Sequence, residues 1–148
     1  MGYAAGADDA LMLDRAGFIA ETNATHFFIV HRGRLLTSRE TACPEGITRA
    51  TVIECCGDLG IPFEERELSL TEAYRCDEAF CTGTMGELAA VTKLDGRVLG
   101  SGEAGAVTRR CRALLRALAE EEVAEAFCAP VDTSFFRNYR QFVSRPMD

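Results

Sequence analysis

The chain has 148 residues, of which 47% are hydrophobic and 26% charged, an ordinary globular composition that excludes disordered and fibrous classes. Its 23 acidic and 16 basic side chains give a net charge of −7, which argues against a nucleic-acid partner. No apolar run approaches the ~20 residues of a membrane span, and the first residues lack the pattern of a signal peptide. We therefore expect a soluble, cytoplasmic protein without a nucleic-acid partner.

The seven cysteines lack the spacing of a metal site or of a redox motif. Their number is odd, and none of them forms a CxxC pair. Cys55 and Cys56 continue the apolar run that begins at Val52, which favours cysteine as a small buried hydrophobe. We expect reduced thiols in a core and predict no metal site.

Two hairpins are predicted within the first forty residues. Each joins two short apolar runs through a turn that contains a glycine, Gly17 in the first and Gly33 in the second. The paired runs are residues 8–14 with 17–21, and residues 27–30 with 35–37.

Apolar spacing predicts a helix over residues 47–59 that begins after Gly46 and ends at Gly60. Ser69 or Thr71 introduces a second, short helix. A hairpin follows around Asp95-Gly96, a favoured pair for a two-residue turn. The remaining predicted elements are strands over 61–67, 78–82, 89–94 and 97–99, the short helix over 70–76, and an amphipathic helix over 105–118.

Beyond Leu118 the helical pattern weakens into a tail with prolines and several aromatic residues. The tail is interpreted either as a docking helix around residues 134–142 or as a segment that orders against a partner chain. The mixed order of strands and helices, with many hairpins, predicts an α+β domain rather than a doubly wound sheet. We expect a domain over residues 1–118 and an atypical tail over 119–148.

Two segments have the form of anion-binding turns. Gly46-Ile47-Thr48 opens a predicted helix, so the N–H groups of Ile47 and Thr48 and the Thr48 hydroxyl can converge on a phosphate. The run from Thr82 to Gly86 follows a buried strand and offers two hydroxyls and several backbone donors. Taken alone, each segment is more typical of an ordinary capped helix or turn than of an anion site.

The order of five motifs changes that interpretation, because together they resemble the class IV (fold-type IV) pyridoxal-phosphate aminotransferases. This family includes branched-chain amino acid, D-amino acid and aminodeoxychorismate lyase members, and the resemblance covers about residues 5–118. The motifs are GFIAETNAT at 17–25, EGITR at 45–49, DEAFCTGT at 77–84, LDGR at 94–97 and GAVTR at 105–109.

The resemblance implies pyridoxal 5'-phosphate as the cofactor and assigns residues to it. Glu21 would face the pyridine nitrogen and keep it protonated, which makes the ring an electron sink. Ile47 and Thr48 would form the phosphate cup, and Thr84 would be a second phosphate contact. These four residues are the predicted cofactor site.

The same resemblance implies a substrate site and a larger protein. Met85 and Gly86 occupy the turn whose amides meet the carboxylate of the amino acid substrate in branched-chain members, although Met85 departs from the small residue that is common there. The fold implied is the large C-terminal domain of the family, a hairpin-rich pseudo-barrel sheet with packed helices. Its first strands and the small N-terminal domain are expected to be missing.

The resemblance also implies a Schiff-base lysine that this chain lacks. Lys93 is its single lysine, and it lies in a predicted hairpin far from the family's position. We therefore expect no catalytic residue and no activity from the chain as it stands. Three interpretations stay open: a fragment of an aminotransferase of amino acids and 2-oxo acids, a non-catalytic module that binds pyridoxal phosphate or another phosphorylated ligand, and a dimerising remnant. Each is compatible with a homo-oligomer.

Overall fold

A computed structural model describes residues 8–23, 25–39, 46–83 and 87–128, and for Glu87 and residues 122–128 it describes the backbone only. The described residues form nine strands and three helices. The chain divides into two compact units, residues 1–115 and residues 116–148. The sheets, the core and the candidate site all belong to the first unit.

The first predicted hairpin is confirmed. β1 (Leu11–Leu13) and β2 (Ile19–Thr22) pair antiparallel as a two-stranded sheet. The Asp14 carboxylate accepts hydrogen bonds from the N–H groups of Ala16 and Phe18, at 2.8 and 2.9 Å, and so closes the turn. Gly17 has a φ of +86°, a conformation that a residue without Cβ adopts at little cost.

The second predicted hairpin is also confirmed, by β3 (His26–His31) and β4 (Arg34–Thr37). Arg32 and Gly33 both have positive φ, +51° and +73°, as a two-residue hairpin turn of type I′ requires. The Arg32 N–H donates a 2.6 Å hydrogen bond to the Asp77 carboxylate, which fixes the turn to the segment before the next strand.

β3 is the central strand of a five-stranded sheet with the order β5-β4-β3-β6-β7. β5 (Phe63–Glu65) runs parallel to β4, whereas β6 (Glu78–Gly83) and β7 (Glu87–Ala90) continue the sheet antiparallel. The predicted strand over 61–67 is therefore shorter than expected, because only its middle residues pair with β4.

The prediction of one strand over 89–94 is wrong, because two separate strands share that segment. Its start belongs to β7, and β8 (Lys93–Leu94) instead pairs with β9 (Arg97–Val98) in a separate sheet. The Thr92 carbonyl accepts from the Leu99 N–H at 2.9 Å, so the chain leaves the large sheet at that point. The predicted turn at Asp95-Gly96 is confirmed, with φ values of +49° and +77°.

Three helices complete the described part of the fold: α1 (Ile47–Asp58), α2 (Leu70–Tyr74) and α3 (Ala106–Cys128). α1 matches its prediction to within one residue, and Ser69 caps α2, which ends two residues early. The expected end of the last helix at Leu118 is wrong. Alanine and glutamate after Leu118 have high helix propensity and extend α3 without an apolar stripe. The predicted docking helix at 134–142 lies outside the described residues.

The core lies on both faces of the large sheet. On one face Phe28 and Phe80 stack, with ring centroids 5.0 Å apart, and Val52 of α1 and Cys111 of α3 cover them. On the other face, Ile19 of β2 and the segment around α2 cover the alternate side chains of β3. Because β3 is buried on both sides, its four inner residues are all apolar: they are Phe27, Phe28, Ile29 and Val30.

The described cysteines confirm the expectation of buried thiols, with Cys81 only partly exposed. Burial raises the pKa of the thiols of Cys55, Cys76 and Cys81 to about 11, so they stay protonated at neutral pH. Protonated, buried thiols of this kind are poor nucleophiles.

Candidate functional site

The start of α1 is arranged to accept an anion. Gly46, the residue before the helix, has an extended backbone, and no side chain caps the helix start. The first turn carries no acidic residue. Ile47 and Thr48 are both half-buried, and their N–H groups precede the first intrahelical hydrogen bond, which runs from Ala50 to the Gly46 carbonyl. The helix dipole favours negative charge at this position.

At the other two helices a carboxylate of the protein fills the equivalent position. At α2, the Glu72 carboxylate accepts from the Ser69 N–H at 3.0 Å as part of a capping box. At α3, the Glu78 carboxylate accepts from the N–H of Val107 at 3.1 Å and from the N–H and hydroxyl of Thr108 at 2.8 and 2.7 Å. Of the three described helices, α1 is thus the one whose start meets no carboxylate of the described residues.

His26, the first residue of β3, brings the predicted site segments together. A Cβ added to Gly46 would overlap Cε1 of the His26 ring, so the ring packs directly against the start of α1. His26 is also the register partner of Thr82, near the end of β6. The cup at α1 and the end of β6 are therefore neighbours, as the resemblance implies. His26 itself had no assigned role in the sequence, because its contact with Gly46 is non-local.

Glu21 lies half-buried on β2, separated from His26 by a short loop. The loop is fixed by hydrogen bonds between two threonines: the N–H and hydroxyl of Thr22 donate to the Thr25 carbonyl at 3.0 and 2.9 Å. The Thr25 N–H donates back to the Thr22 hydroxyl at 3.0 Å. These hydrogen bonds hold Glu21 next to β3. The first residue of β3, His26, contacts Gly46 at the start of α1.

Thr82 has a fully buried side chain. Its hydroxyl makes no hydrogen bond to any residue in the described ranges. Thr84, Met85 and Gly86, the other predicted site residues of this segment, lie outside the described residues, between β6 and β7.

Arg49 is a second residue whose importance the sequence did not reveal. Its side chain is only 2% exposed, although it belongs to the first turn of α1. Nη2 donates to the Ser38 carbonyl at 2.9 Å and forms an ion pair with Glu65 of β5. The guanidinium therefore ties the start of α1 to the ends of β4 and β5, and the Glu65 carboxylate balances its charge.

Other features of the described residues lie apart from this site. A surface cavity of about 300 Å³ is found at the opposite end of β3. Within the described part of the chain, no three His, Cys, Asp or Glu side chains are grouped as metal ligands. No described helix is long and apolar enough to cross a membrane. The cavity is lined by Ile29, His31, Arg32, Leu36, Thr71, Glu72 and Arg75.

Comparison with known families identifies the origin of this arrangement. The family described as amino-transferase class IV matches residues 3–94, which include Glu21, both residues of the cup and the segment after β6. The chain belongs to the class IV aminotransferases. The resemblance inferred from the five motifs is thereby confirmed.

Individual relatives agree with the family. The branched-chain-amino-acid aminotransferase-like protein 2 of Arabidopsis thaliana is 53% identical over 106 residues, which are 72% of this chain and 19% of that protein. The branched-chain-amino-acid aminotransferase of Pseudomonas aeruginosa is 40% identical over 105 residues, which are 71% of this chain and 34% of that protein. The chain thus spans about a third or less of these relatives.

Solved structures confirm the fold. The branched-chain aminotransferase of Thermoproteus uzoniensis with norvaline is 40% identical, with a TM-score of 0.76 over 88% of this chain and 44% of that chain. A branched-chain amino acid aminotransferase complexed with N-(5'-phosphopyridoxyl)-L-glutamate is 38% identical, with a TM-score of 0.75 over 77% of this chain and 39% of that chain. The predicted fold, the cofactor-binding portion of a fold-type IV enzyme, is therefore correct.

Proposed function

We propose that this chain is the pyridoxal-phosphate-binding portion of a branched-chain amino acid aminotransferase-like enzyme. The start of α1 is the observation that carries the proposal: no carboxylate of the described residues occupies it, and a phosphate would supply the anion that Glu72 provides at α2 and Glu78 at α3. A solved relative bound to a phosphopyridoxyl compound supports the choice of ligand. The buried Thr82 hydroxyl beside the cup, which has no partner among the described residues, is also typical of a site built for a polar group.

The phosphate would be held by the backbone N–H groups of Ile47 and Thr48 and by the hydroxyls of Thr48 and Thr84. Backbone donors at a helix start suit a phosphate because they point at it together and the dipole favours its charge. Arg49 holds the start of α1 in place through its contacts with Ser38 and Glu65. These residues would fix the position of the cofactor rather than take part in chemistry.

Glu21 would hold the proton on the pyridine nitrogen. A carboxylate next to a ring nitrogen stabilises its protonated form. Bound pyridoxal phosphate then supplies the electron sink on which amino acid chemistry in this family depends. Glu21 contributes orientation and electrostatics, and the threonine-fixed loop keeps it in place.

The substrates that we propose for the whole enzyme are an amino acid and a 2-oxo acid. In that enzyme the amides of Met85 and Gly86 would bind the substrate carboxylate. The larger side chain of Met85 would narrow the space at this turn compared with relatives that carry a small residue.

The 148-residue chain itself would bind the cofactor without turning over substrate. Lys93 is its single lysine, and the side chain is exposed in the β8–β9 hairpin, outside the group of residues around His26. This observation supports a second candidate function, a non-catalytic module for pyridoxal phosphate or a related phosphorylated ligand. We also propose a homo-oligomer and a reducing, cytoplasmic location, which suits the unpaired thiols.

A ligand pair that differs only in its phosphate tests the proposal. We expect the chain to bind pyridoxamine 5'-phosphate at least about tenfold more tightly than pyridoxamine in isothermal titration, since charge-assisted hydrogen bonds to phosphate are strong. Neither ligand carries an aldehyde, so Lys93 cannot react with them. Equal affinities for the two ligands would exclude the phosphate cup.

Two threonines of α1 provide matched variants. Thr48→Val should reduce the preference for the phosphate form, whereas Thr51→Val should leave it unchanged. The Thr51 hydroxyl already donates to the Ile47 carbonyl at 3.0 Å and so has a structural role within the helix. A loss of preference in both variants would indicate damage to the helix rather than removal of a ligand contact.

A further inference from the structure

The hydroxyl of Thr82 is buried without a hydrogen bond to any described residue, which is an unusual state for a polar group in a folded protein. The side chain is 0% exposed. A valine would fill the same space without leaving a polar atom unsatisfied. The other three buried threonines of the described ranges all use their hydroxyls in hydrogen bonds: they are Thr22, Thr37 and Thr108.

The register of the sheet places Thr82 beside the start of α1. Side chains alternate along β6, so Thr82 shares a face with Phe80. The Phe80 ring packs in the core cluster that contains Val52 of α1. Two residues after Phe80, Thr82 pairs with His26 of β3. The His26 ring lies against Gly46. Thr82 therefore lies on the face of the sheet that α1 covers. It is near the first residues of α1.

We propose that the Thr82 hydroxyl is a further hydrogen-bond donor to the phosphate group of the ligand at the start of α1. The inference rests on the proposed function, because it takes the ligand to be a phosphate monoester held by Ile47 and Thr48. Phosphate oxygens accept hydrogen bonds, and a hydroxyl with no partner among the described residues can donate to them. Binding would thus satisfy this buried polar group.

The proposal predicts opposite effects of Thr82→Val on binding and on stability. The affinity for pyridoxamine 5'-phosphate should fall by about tenfold, the size expected for a hydrogen bond to a charged group. The affinity for pyridoxamine should not change. The urea midpoint of the free chain should stay the same or rise, because the variant removes an unsatisfied hydroxyl. Thr82→Ser keeps the hydroxyl and should keep the preference for phosphate.

Thr37→Val is the matched control on the same sheet. The Thr37 hydroxyl is buried and donates to the Phe27 carbonyl at 2.8 Å. This variant should lower the urea midpoint and leave the ratio of the two ligand affinities unchanged, which is the reverse of the pattern expected for Thr82→Val.

Each outcome separates this inference from the proposed function. If the unaltered chain prefers the phosphate form and Thr82→Val keeps that preference, Thr82 is not a ligand and the proposed function stands. If the unaltered chain shows no preference, the proposed function fails and the Thr82 inference fails with it. If Thr82→Val destabilises the free chain as much as Thr37→Val does, the hydroxyl has a structural partner and the inference is overturned.

Discussion

Gly46 and Glu21 show what a single residue contributes to this site. Gly46 lets the His26 ring pack on the start of α1, since any Cβ there would overlap the ring. Glu21 depends instead on its neighbours, because hydrogen bonds between Thr22 and Thr25 hold the loop that leads from it to His26. Family motifs identify both positions from the sequence, but the contacts that make them useful come from separate segments.

Glu72 gives a prediction about acid stability. The hydrogen bond from Arg66, at 2.6 Å, and those from Ser69 lower the pKa of Glu72 from its usual 4.5 to about 2. Because the folded pKa lies below the unfolded one, the stabilisation is complete above about pH 4.5 and is lost as the pH falls to about 2. Glu72→Gln should therefore be less stable than the unaltered chain at pH 7, by ~1 kcal/mol at most because Glu72 is partly exposed.

The measurement is urea unfolding at several pH values, followed by circular dichroism. The difference between Glu72→Gln and the unaltered chain should shrink steadily towards a pH of about 2, the pKa of Glu72 in the folded chain. Glu67→Gln, which removes the same charge from a neighbouring position, should show little difference at any pH. A difference for Glu72→Gln that does not depend on pH would contradict the assignment.

At the scale of elements, the sequence predicted most of the fold. Local signals were sufficient where they were strong: glycine turns located three hairpins, and the run from Gly46 to Gly60 located α1. The prediction failed at 89–94, where the exit from the sheet depends on the bond between Thr92 and Leu99, which no local pattern encodes. The parallel pairing of β5 with β4 and the burial of Arg49 are non-local in the same way.

Arg49 gives a prediction about how the elements are joined. Its replacement by methionine should lower the free energy of unfolding by about 1–3 kcal/mol, because it leaves the Ser38 carbonyl without this donor and removes the ion pair of the buried guanidinium with the exposed Glu65 carboxylate. Arg34→Met is the matched control, since Arg34 of β4 forms an ion pair with Glu64 of β5 and its side chain is exposed. It should cost less than about 1 kcal/mol in the same urea experiment. Similar losses in the free energy of unfolding for both variants would show that the burial of Arg49 does not strengthen its contacts with Ser38 and Glu65.

At the scale of the whole molecule, the candidate site favours an anion although the chain has a net charge of −7. At the start of α1 the helix dipole favours negative charge, whatever the sign of the net charge of the chain. This arrangement suits a small anionic ligand, which fits into the cup, better than a large anionic partner, which the overall charge would repel.

The last prediction concerns turnover by the whole chain. With pyridoxal phosphate, an amino acid and a 2-oxo acid present, the 148-residue chain should exchange amino groups no faster than free pyridoxal phosphate does, because Lys93 is exposed and lies outside the proposed site. The readout is the rate of 2-oxo acid formation, measured beside borohydride reduction and mass spectrometry of peptides. Lys93→Ala should leave the exchange rate unchanged. An exchange rate above the background that disappears in Lys93→Ala, together with stoichiometric capture of the cofactor on Lys93, would show that this lysine acts as a catalytic residue.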